Sequence, residues 1–297
     1  MSILINDTTR VLAQGLTGTQ GRRDARFCLD YGTNIVCGVT PGKGGEEVYD
    51  LPVYDSVRNA VERHEIDASV VYAPPLRTKD AILEALDAGI KLVCALAEFV
   101  PRQDTATIRA AAEKAGAVVV GCNTNGLISA GKSKLGAIGG DDPDEVFVPG
   151  RVGICSRSGG MSAEFGLALK RGGLGVSTCI SMGGDVIPGT PMVRYVEMFD
   201  ADPDTDAIVI FGEPGTSAER EVAEYLRSGR CCKPLVALLA GAFQENYPRG
   251  VSFGHVAAMI QSDADSVSAK RKLLEESGAL VARSLGEIPE LIKRALV

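Results

Sequence analysis

Tryptophan is absent from this 297-residue sequence, and histidine occurs only twice, at positions 64 and 255. Basic residues are outnumbered, 31 against 38 acidic ones, and the net charge of -7 argues against nucleic acid or an anionic membrane as a partner. No apolar run is long enough to span a bilayer. Residues 1–7, Met-Ser-Ile-Leu-Ile-Asn-Asp, show neither the basic nor the apolar region of a leader, so a cytoplasmic protein is expected. The eight cysteines contain no CxxC pair, and the adjacent Cys231 and Cys232 have poor geometry for a metal or a disulfide. They read as reduced thiols in or near the core, and no metal centre is expected.

What the chain does have is apolar mass and glycine. Hydrophobic residues at 45% and charged residues at 23% describe a globular chain with ample core. Thirty-five glycines imply many tight turns and close backbone approaches to ligands. Short β-branched runs alternate with longer helical patterns, the signature of βα units around parallel sheets. In the first half strands are expected at 10–13, 34–38, 68–72, 92–95 and 118–120, with helices at 21–30, 56–64, 78–88 and 104–115. In the second half strands are expected at 152–156, 176–181, 207–211, 235–239 and 279–282, with helices at 161–170, 191–199, 218–228 and 266–277. The polar, breaker-rich segment from Gly139 to Gly150 divides them, giving expected domains at 1–140 and 150–297. The fold class is therefore α/β, a Rossmann-like domain followed by a flavodoxin-like one.

The first strand is followed by Gly15-Leu16-Thr17-Gly18-Thr19-Gln20-Gly21 and then a helix. Glycines at such a turn let backbone approach a phosphate, and free amides at the helix start attract the anion. The spacing is GxxGxxG, not the GxGxxG of NAD sites, so the turn alone says only that a phosphorylated ligand binds. After the second strand, Gly38-Val39-Thr40-Pro41-Gly42-Lys43-Gly44-Gly45 places Lys43 where an NAD protein carries an acidic residue for the ribose. A ligand with extra phosphates, such as coenzyme A, suits that exchange.

In the second half, Ser156-Arg157-Ser158-Gly159-Gly160-Met161 is a strand-to-helix turn with backbone amides suited to a phosphoryl group. The Ser158 hydroxyl can equally be a helix cap, and the GxSxG of a nucleophile elbow is missing. Glu213 lies just past a strand end, at the edge where ligands of open parallel sheets gather. His255 follows the Gly-rich stretch 247–254 and precedes an Ala-rich segment; its imidazole can be a base, a ligand, a nucleophile or a ring satisfied by backbone. His64 sits in a charged run and reads as a solvated surface residue.

Taken together and in this order, these stretches resemble the α subunit of succinyl-CoA synthetase and related NDP-forming acid-CoA ligases, along essentially the whole chain. The resemblance implies that Thr17, Gly18, Thr19, Gln20, Lys43 and the strand end Leu96-Ala97-Glu98 contact coenzyme A. It implies that His255 is phosphorylated during turnover, that Glu213 steadies the phosphohistidine, and that the amides at Ser158, Gly159 and Gly160 hold its phosphoryl group. It also implies an ATP-grasp β subunit, in an αβ or α2β2 assembly, which binds ATP or GTP with Mg. The rival expectation is a CoA-binding regulatory subunit with no catalysis of its own.

Two departures from the family pattern bear on the acid. Where the family usually reads Gly-Pro-Asn-Cys-Pro-Gly, this chain has Gly121-Cys122-Asn123-Thr124-Asn125-Gly126, so Asn123, Thr124 and Asn125 are expected to line a more polar, less rigid acid pocket. Where the family usually reads Ser-Gly-Thr-Leu-Thr-Tyr-Glu, this chain has Ser158-Gly159-Gly160-Met161-Ser162-Ala163-Glu164, and Ala163 is expected to clear space on another wall. The expected substrate is a short dianionic acid: succinate, or a relative such as malate or sulfoacetate.

Overall fold

The computed structural model describes residues 2–254 and 257–297. Its first part carries β1 (Val11–Gln14), α1 (Thr19–Asp30), β2 (Ile35–Val39), β3 (Glu47–Val48), β4 (Leu51–Tyr54), α2 (Val57–Val61), β5 (Ala68–Val71), α3 (Pro75–Asp87), β6 (Leu92–Ala95), α4 (Arg102–Ala115) and β7 (Val118–Gly121). These strands lie side by side in the order β3-β4-β2-β1-β5-β6-β7. Leaving aside the antiparallel edge strand β3, that is the 3-2-1-4-5-6 order of a Rossmann sheet. Strands β1, β5 and β6 are buried at every position, which is why they read as continuous apolar runs and not as alternating ones.

The second part carries β8 (Gly126–Ser129), β9 (Ser133–Gly136), β10 (Pro149–Ser156), α5 (Gly159–Arg171), β11 (Val176–Ser181), α6 (Met192–Ala201), β12 (Ala207–Gly212), α7 (Ala218–Arg227), β13 (Leu235–Leu239), α8 (Val267–Glu276), β14 (Leu280–Ala282) and α9 (Ile288–Ala295). The order β14-β13-β12-β10-β11-β8-β9 contains a parallel 2-1-3-4-5 sheet of flavodoxin type, extended by the antiparallel hairpin β8–β9. The change of sheet comes earlier in the chain than the breaker-rich 139–150 segment, because residues 126–136 already belong to the second sheet.

The sequence-based elements recur with shifted ends. Helix α3 opens at Pro75 and not at 78, since proline at the first helical position loses no hydrogen bond. The β3–β4 and β8–β9 hairpins and the helix α9 were not among the expected elements. A continuous apolar cluster joins the two sheets: Val11, Val70 and Cys94 of the first share it with Leu127, Cys155 and Ile180 of the second and with Phe199 of α6. Each such side chain contributes about 1.5–3 kcal/mol on burial, so the halves are held as one body and not by a linker. Six cysteines are buried and all eight are free thiols, as the reading of reduced core thiols requires.

Candidate active site at the sheet edges

Candidate ligand-binding residues gather at the carboxyl ends of both parallel sheets. At the first, β1 runs into the turn 15–18 and then α1. Gly18 caps that helix in extended conformation with no side-chain bond to its amides, so the amides of its first turn remain available to a ligand. Gly21 has no alternative here: a Cβ on it would overlap the carbonyl oxygen of Gly15. Thr17, Gly18, Thr19 and Gln20 line a cleft of about 780 Å³ whose far wall includes Thr40, Tyr72 and Arg77. Thr17 Oγ1 donates to Thr40 Oγ1 at 3.1 Å, which ties the turn to the loop after β2. The amides of α1 and the guanidinium of Arg77 are donors for an anion in this cleft, which the carboxylates of Asp80 and Glu84 also line.

The other expected CoA contacts lie elsewhere. Lys43 is exposed and pairs with Glu46 at 2.8 Å, and it is not part of the wall of this cleft. Leu96 is buried in the shared core, and the Ala97 carbonyl accepts the Asn123 amide at 2.9 Å. Glu98 lines a second cleft of about 430 Å³, together with Phe99, Arg102, Asn123, Asp185 and Gly254. This second cleft brings a strand end of the first sheet, the 121–126 loop and the residue before His255 to one place. His255 itself and Val256 lie outside the described residues. On the far side of them Ala257 lines an adjoining cleft of about 300 Å³, which Arg102 also borders. Arg102 has no ion-pair partner among the described residues.

At the second sheet, Ser158 Oγ accepts the Met161 amide at 3.4 Å, so its hydroxyl is a helix cap. The Gly159 and Gly160 amides are the first of helix α5 and carry no side chain to shield them. Arg157, which the sequence reading did not single out, is only 2% exposed. Its guanidinium donates to the Thr216 hydroxyl at 3.4 Å and to the carbonyls of Gly184 and Asp185 at 3.3 and 3.1 Å, and its Nε lies 3.9 Å from Glu213 Oε2. Glu213, with a side chain 13% exposed, thus sits at the strand edge beside a buried cation.

The acid-pocket expectation fares unevenly. Asn123 lines the 430 Å³ cleft and its amide donates to Asp185 Oδ1 at 3.1 Å. Burial raises the Asp185 carboxyl above its usual range, against the opposing effects of Asn123 and Arg157. The Thr124 hydroxyl, in contrast, is spent inside the fold: it donates to the Ser181 carbonyl and accepts the Gly126 amide at 2.8 Å. The Asn125 amide donates to the Gly159 carbonyl at 3.2 Å, and Ala163 borders neither cleft. Burial pushes the Cys122 thiol up to about 12, so it stays protonated. His64 is also not merely solvated: Tyr54 Oη and His64 Nε2 are 2.9 Å apart, with the two rings edge to face.

The fold and clefts describe a two-sheet α/β protein with open sites at its strand ends, and comparison with known sequences makes the class specific. A CoA binding domain family matches residues 6–99 and a CoA-ligase family matches residues 155–280. The ADP-forming sulfoacetate-CoA ligase subunit SauD of Bilophila wadsworthia is 42% identical over 299 residues, covering 100% of both chains. The succinate-CoA ligase [ADP-forming] subunit alpha 2 of Archaeoglobus fulgidus is 40% identical over 296 residues, again covering 100% of both. Among solved structures, the ATP citrate lyase of Methanothrix soehngenii in complex with citrate and coenzyme A superposes with a TM-score of 0.90 at 26% identity. That match covers 99% of this chain and 50% of the other, so the chain spans half the length of that lyase.

The chain belongs to the family of α subunits of succinyl-CoA synthetase and related NDP-forming acid-CoA ligases. It is an enzyme subunit of the acid-CoA ligase class, and the regulatory-subunit reading is set aside. No helix among the described residues is long and apolar enough to cross a membrane.

Proposed function

We propose that this chain is the CoA-binding, phosphohistidine-bearing half of a ligase that converts a short dianionic acid, ATP or GTP, and coenzyme A to acyl-CoA, NDP and phosphate. The observation that carries the reading is the 430 Å³ cleft, in which Glu98, Asn123 and Asp185 meet Gly254, the residue before His255. A nitrogen of His255 takes the terminal phosphoryl group as its bond to the nucleotide oxygen breaks. The nitrogen–phosphorus bond then breaks as a carboxylate oxygen of the acid takes the phosphoryl group, giving an acyl phosphate. The sulfur of coenzyme A attacks the acyl carbon, phosphate leaves with the electrons of its carbon–oxygen bond, and the thiol proton is lost to solvent. Each step has a better leaving group than direct displacement of carboxylate oxygen would offer.

In this reading the amides of Gly159 and Gly160 hold the transferred phosphoryl group, and Ser158 fixes their orientation by capping α5. Glu213 orients the His255 ring. The turn Thr17 to Gln20 takes the phosphates of coenzyme A, Lys43 adds a cation near its mouth once it exchanges Glu46 for phosphate, and the 96–98 strand end guides the thiol arm toward the second cleft. Functionally we assign 1–140 to the CoA-binding unit and 150–297 to the phosphohistidine unit. The nucleotide and its Mg belong to an ATP-grasp partner in an αβ or α2β2 assembly, and we place the enzyme in the cytoplasm. A separate partner is supported by the relatives' names as subunits and by the doubled length of the lyase chain.

Succinate, malate and sulfoacetate share a second anionic group, for which Arg102 at the cleft wall is the cation without a carboxylate partner among the described residues. In the assembled ligase, at least one such dianion should exceed acetate in kcat/KM by about tenfold or more, or roughly 1.4 kcal/mol of transition-state binding. Acetate used as well as the best dianion would contradict the substrate class, and no thioester from any of these acids would contradict the function.

A further inference from the structure

Lys270 and Glu219 form an ion pair at 2.5 Å with side chains only 4% and 0% exposed. Nothing in the proposed chemistry uses either of them, and two charges buried together are no more stabilising than a well-packed apolar pair of similar volume. Their partners show what the charge accomplishes. Besides Glu219, the Lys270 ammonium donates to the Glu213 carbonyl at 2.7 Å and to the Gly215 carbonyl, so each of its three protons has an acceptor. The remaining oxygen of Glu219, Oε1, accepts the Glu213 amide at 3.2 Å. The N–H and C=O groups of Glu213 are thus both held by this one pair, at the first residue after β12 ends, where no strand neighbour holds them.

The same turn abuts Ala257 and Met259, which follow His255 in the chain. Gly215 has φ +74, a conformation that L side chains rarely adopt, and a Cβ on it would overlap the carbonyl oxygen of Ala257 and crowd the backbone of Met259. Its amide donates to the Asp265 carbonyl at 3.0 Å. Helix α7 supplies Glu219 and helix α8 supplies Lys270, and the 213–215 turn they hold, which precedes α7, packs through Gly215 against Ala257 and Met259. An ammonium is suited to this because it is a compact point charge that can bond three acceptors at once, which no apolar side chain can replace.

We infer that the buried Lys270–Glu219 pair is the positioning device of the phosphoryl-transfer centre, fixing the 213–215 turn so that Glu213 and the segment after His255 are held in register. The inference rests on the reading of Glu213 as the group that orients His255. Both residues act through Glu213 and the loop and touch no substrate.

The chain offers an unusually clean test, because its two histidines give only two sets of imidazole signals. The titration of His255 is followed by nitrogen-15 NMR in the isolated chain, with His64, bonded to Tyr54, as internal control. A carboxylate beside an imidazole favours its protonated form, so Glu213→Gln should lower the His255 midpoint. Lys270→Met combined with Glu219→Leu leaves no buried charge unpaired and should reproduce at least about half of that shift without moving His64. Glu219→Gln, which keeps an acceptor for the Glu213 amide, should fall between wild type and the paired variant; it carries the test alone if the paired variant does not fold.

In the assembled ligase, both Glu219→Gln and the paired variant should slow phosphoenzyme formation, the paired variant by about tenfold or more, with CoA affinity changed by less than about twofold. A folded paired variant with a wild-type His255 midpoint, beside a shifted Glu213→Gln, overturns the positioning role. So does an unshifted Glu219→Gln where the paired variant does not fold. An unshifted midpoint in Glu213→Gln itself overturns the reading of Glu213, and the inference with it.

Discussion

Asp185 shows how one half-buried group makes the cleft sensitive to pH. Its carboxyl is raised by burial, so the folded chain binds that proton more tightly than the unfolded chain does. The stability it contributes is complete below the ordinary value of 3.8 and is lost as pH rises through the raised folded value, because above it the fold holds a poorly solvated charge. Asp185→Asn should therefore unfold at a higher denaturant concentration than the parent at pH 7, with the advantage shrinking as pH falls toward 3.8. Equal midpoints at neutral pH would show that Asn123 and Arg157 fully offset the burial. At this scale the sequence carries its punctuation where the proposed site lies, as in Gly254-His255 and Gly212-Glu213, and the structure sets Gly254 on the 430 Å³ cleft and Glu213 beside Arg157. No role could be read for Arg157, Glu219 or Lys270, since a charged residue in a string looks the same whether solvated or buried. Lys270 stands in Lys270-Arg271-Lys272, which reads as a solvated helix face, yet only tertiary structure shows that the first of the three turns inward.

Among the elements, α1 is the one on whose start the proposed coenzyme A site rests. Its amides face the 780 Å³ cleft only because Gly21 lets the helix approach the Gly15 carbonyl. Gly21→Ala should push the helix off that turn and weaken CoA binding by about tenfold or more, while phosphorylation of His255 changes little. Calorimetry of the isolated chain with coenzyme A checks this, and an unchanged affinity would remove the turn from the site. The parallel strands were legible because strands buried on both faces read as apolar runs. The β8–β9 hairpin was not, because its four-residue strands place Ser129, Ser133 and Lys134 in the interior and so break the apolar pattern. Lys134 is tolerated there by donating to the Gly140 carbonyl at 2.5 Å, a contact no local spacing announces.

For the whole molecule, the shared core and the early entry of β8 into the second sheet bring residues of both halves to the 430 Å³ cleft on which the proposed chemistry rests. The order of the two α/β units could be read from the alternation of strand and helix patterns, and their strand orders match the Rossmann and flavodoxin types. The meeting of Glu98, Asn123, Asp185 and Gly254 could not, because it depends on how two sheets pack and not on either one alone. The central claim is that His255 carries the phosphoryl group between nucleotide and acid. It is tested most directly by incubating the assembled ligase with terminally labelled ATP or GTP, isolating the labelled chain, and adding acid and coenzyme A. The account predicts an acid-labile, base-stable label mapped to His255, absent from His255→Asn, that is discharged as phosphate with one acyl-CoA formed per label lost. A wild-type chain that turns over without acquiring label, or a His255→Asn ligase with near-native turnover, would contradict it.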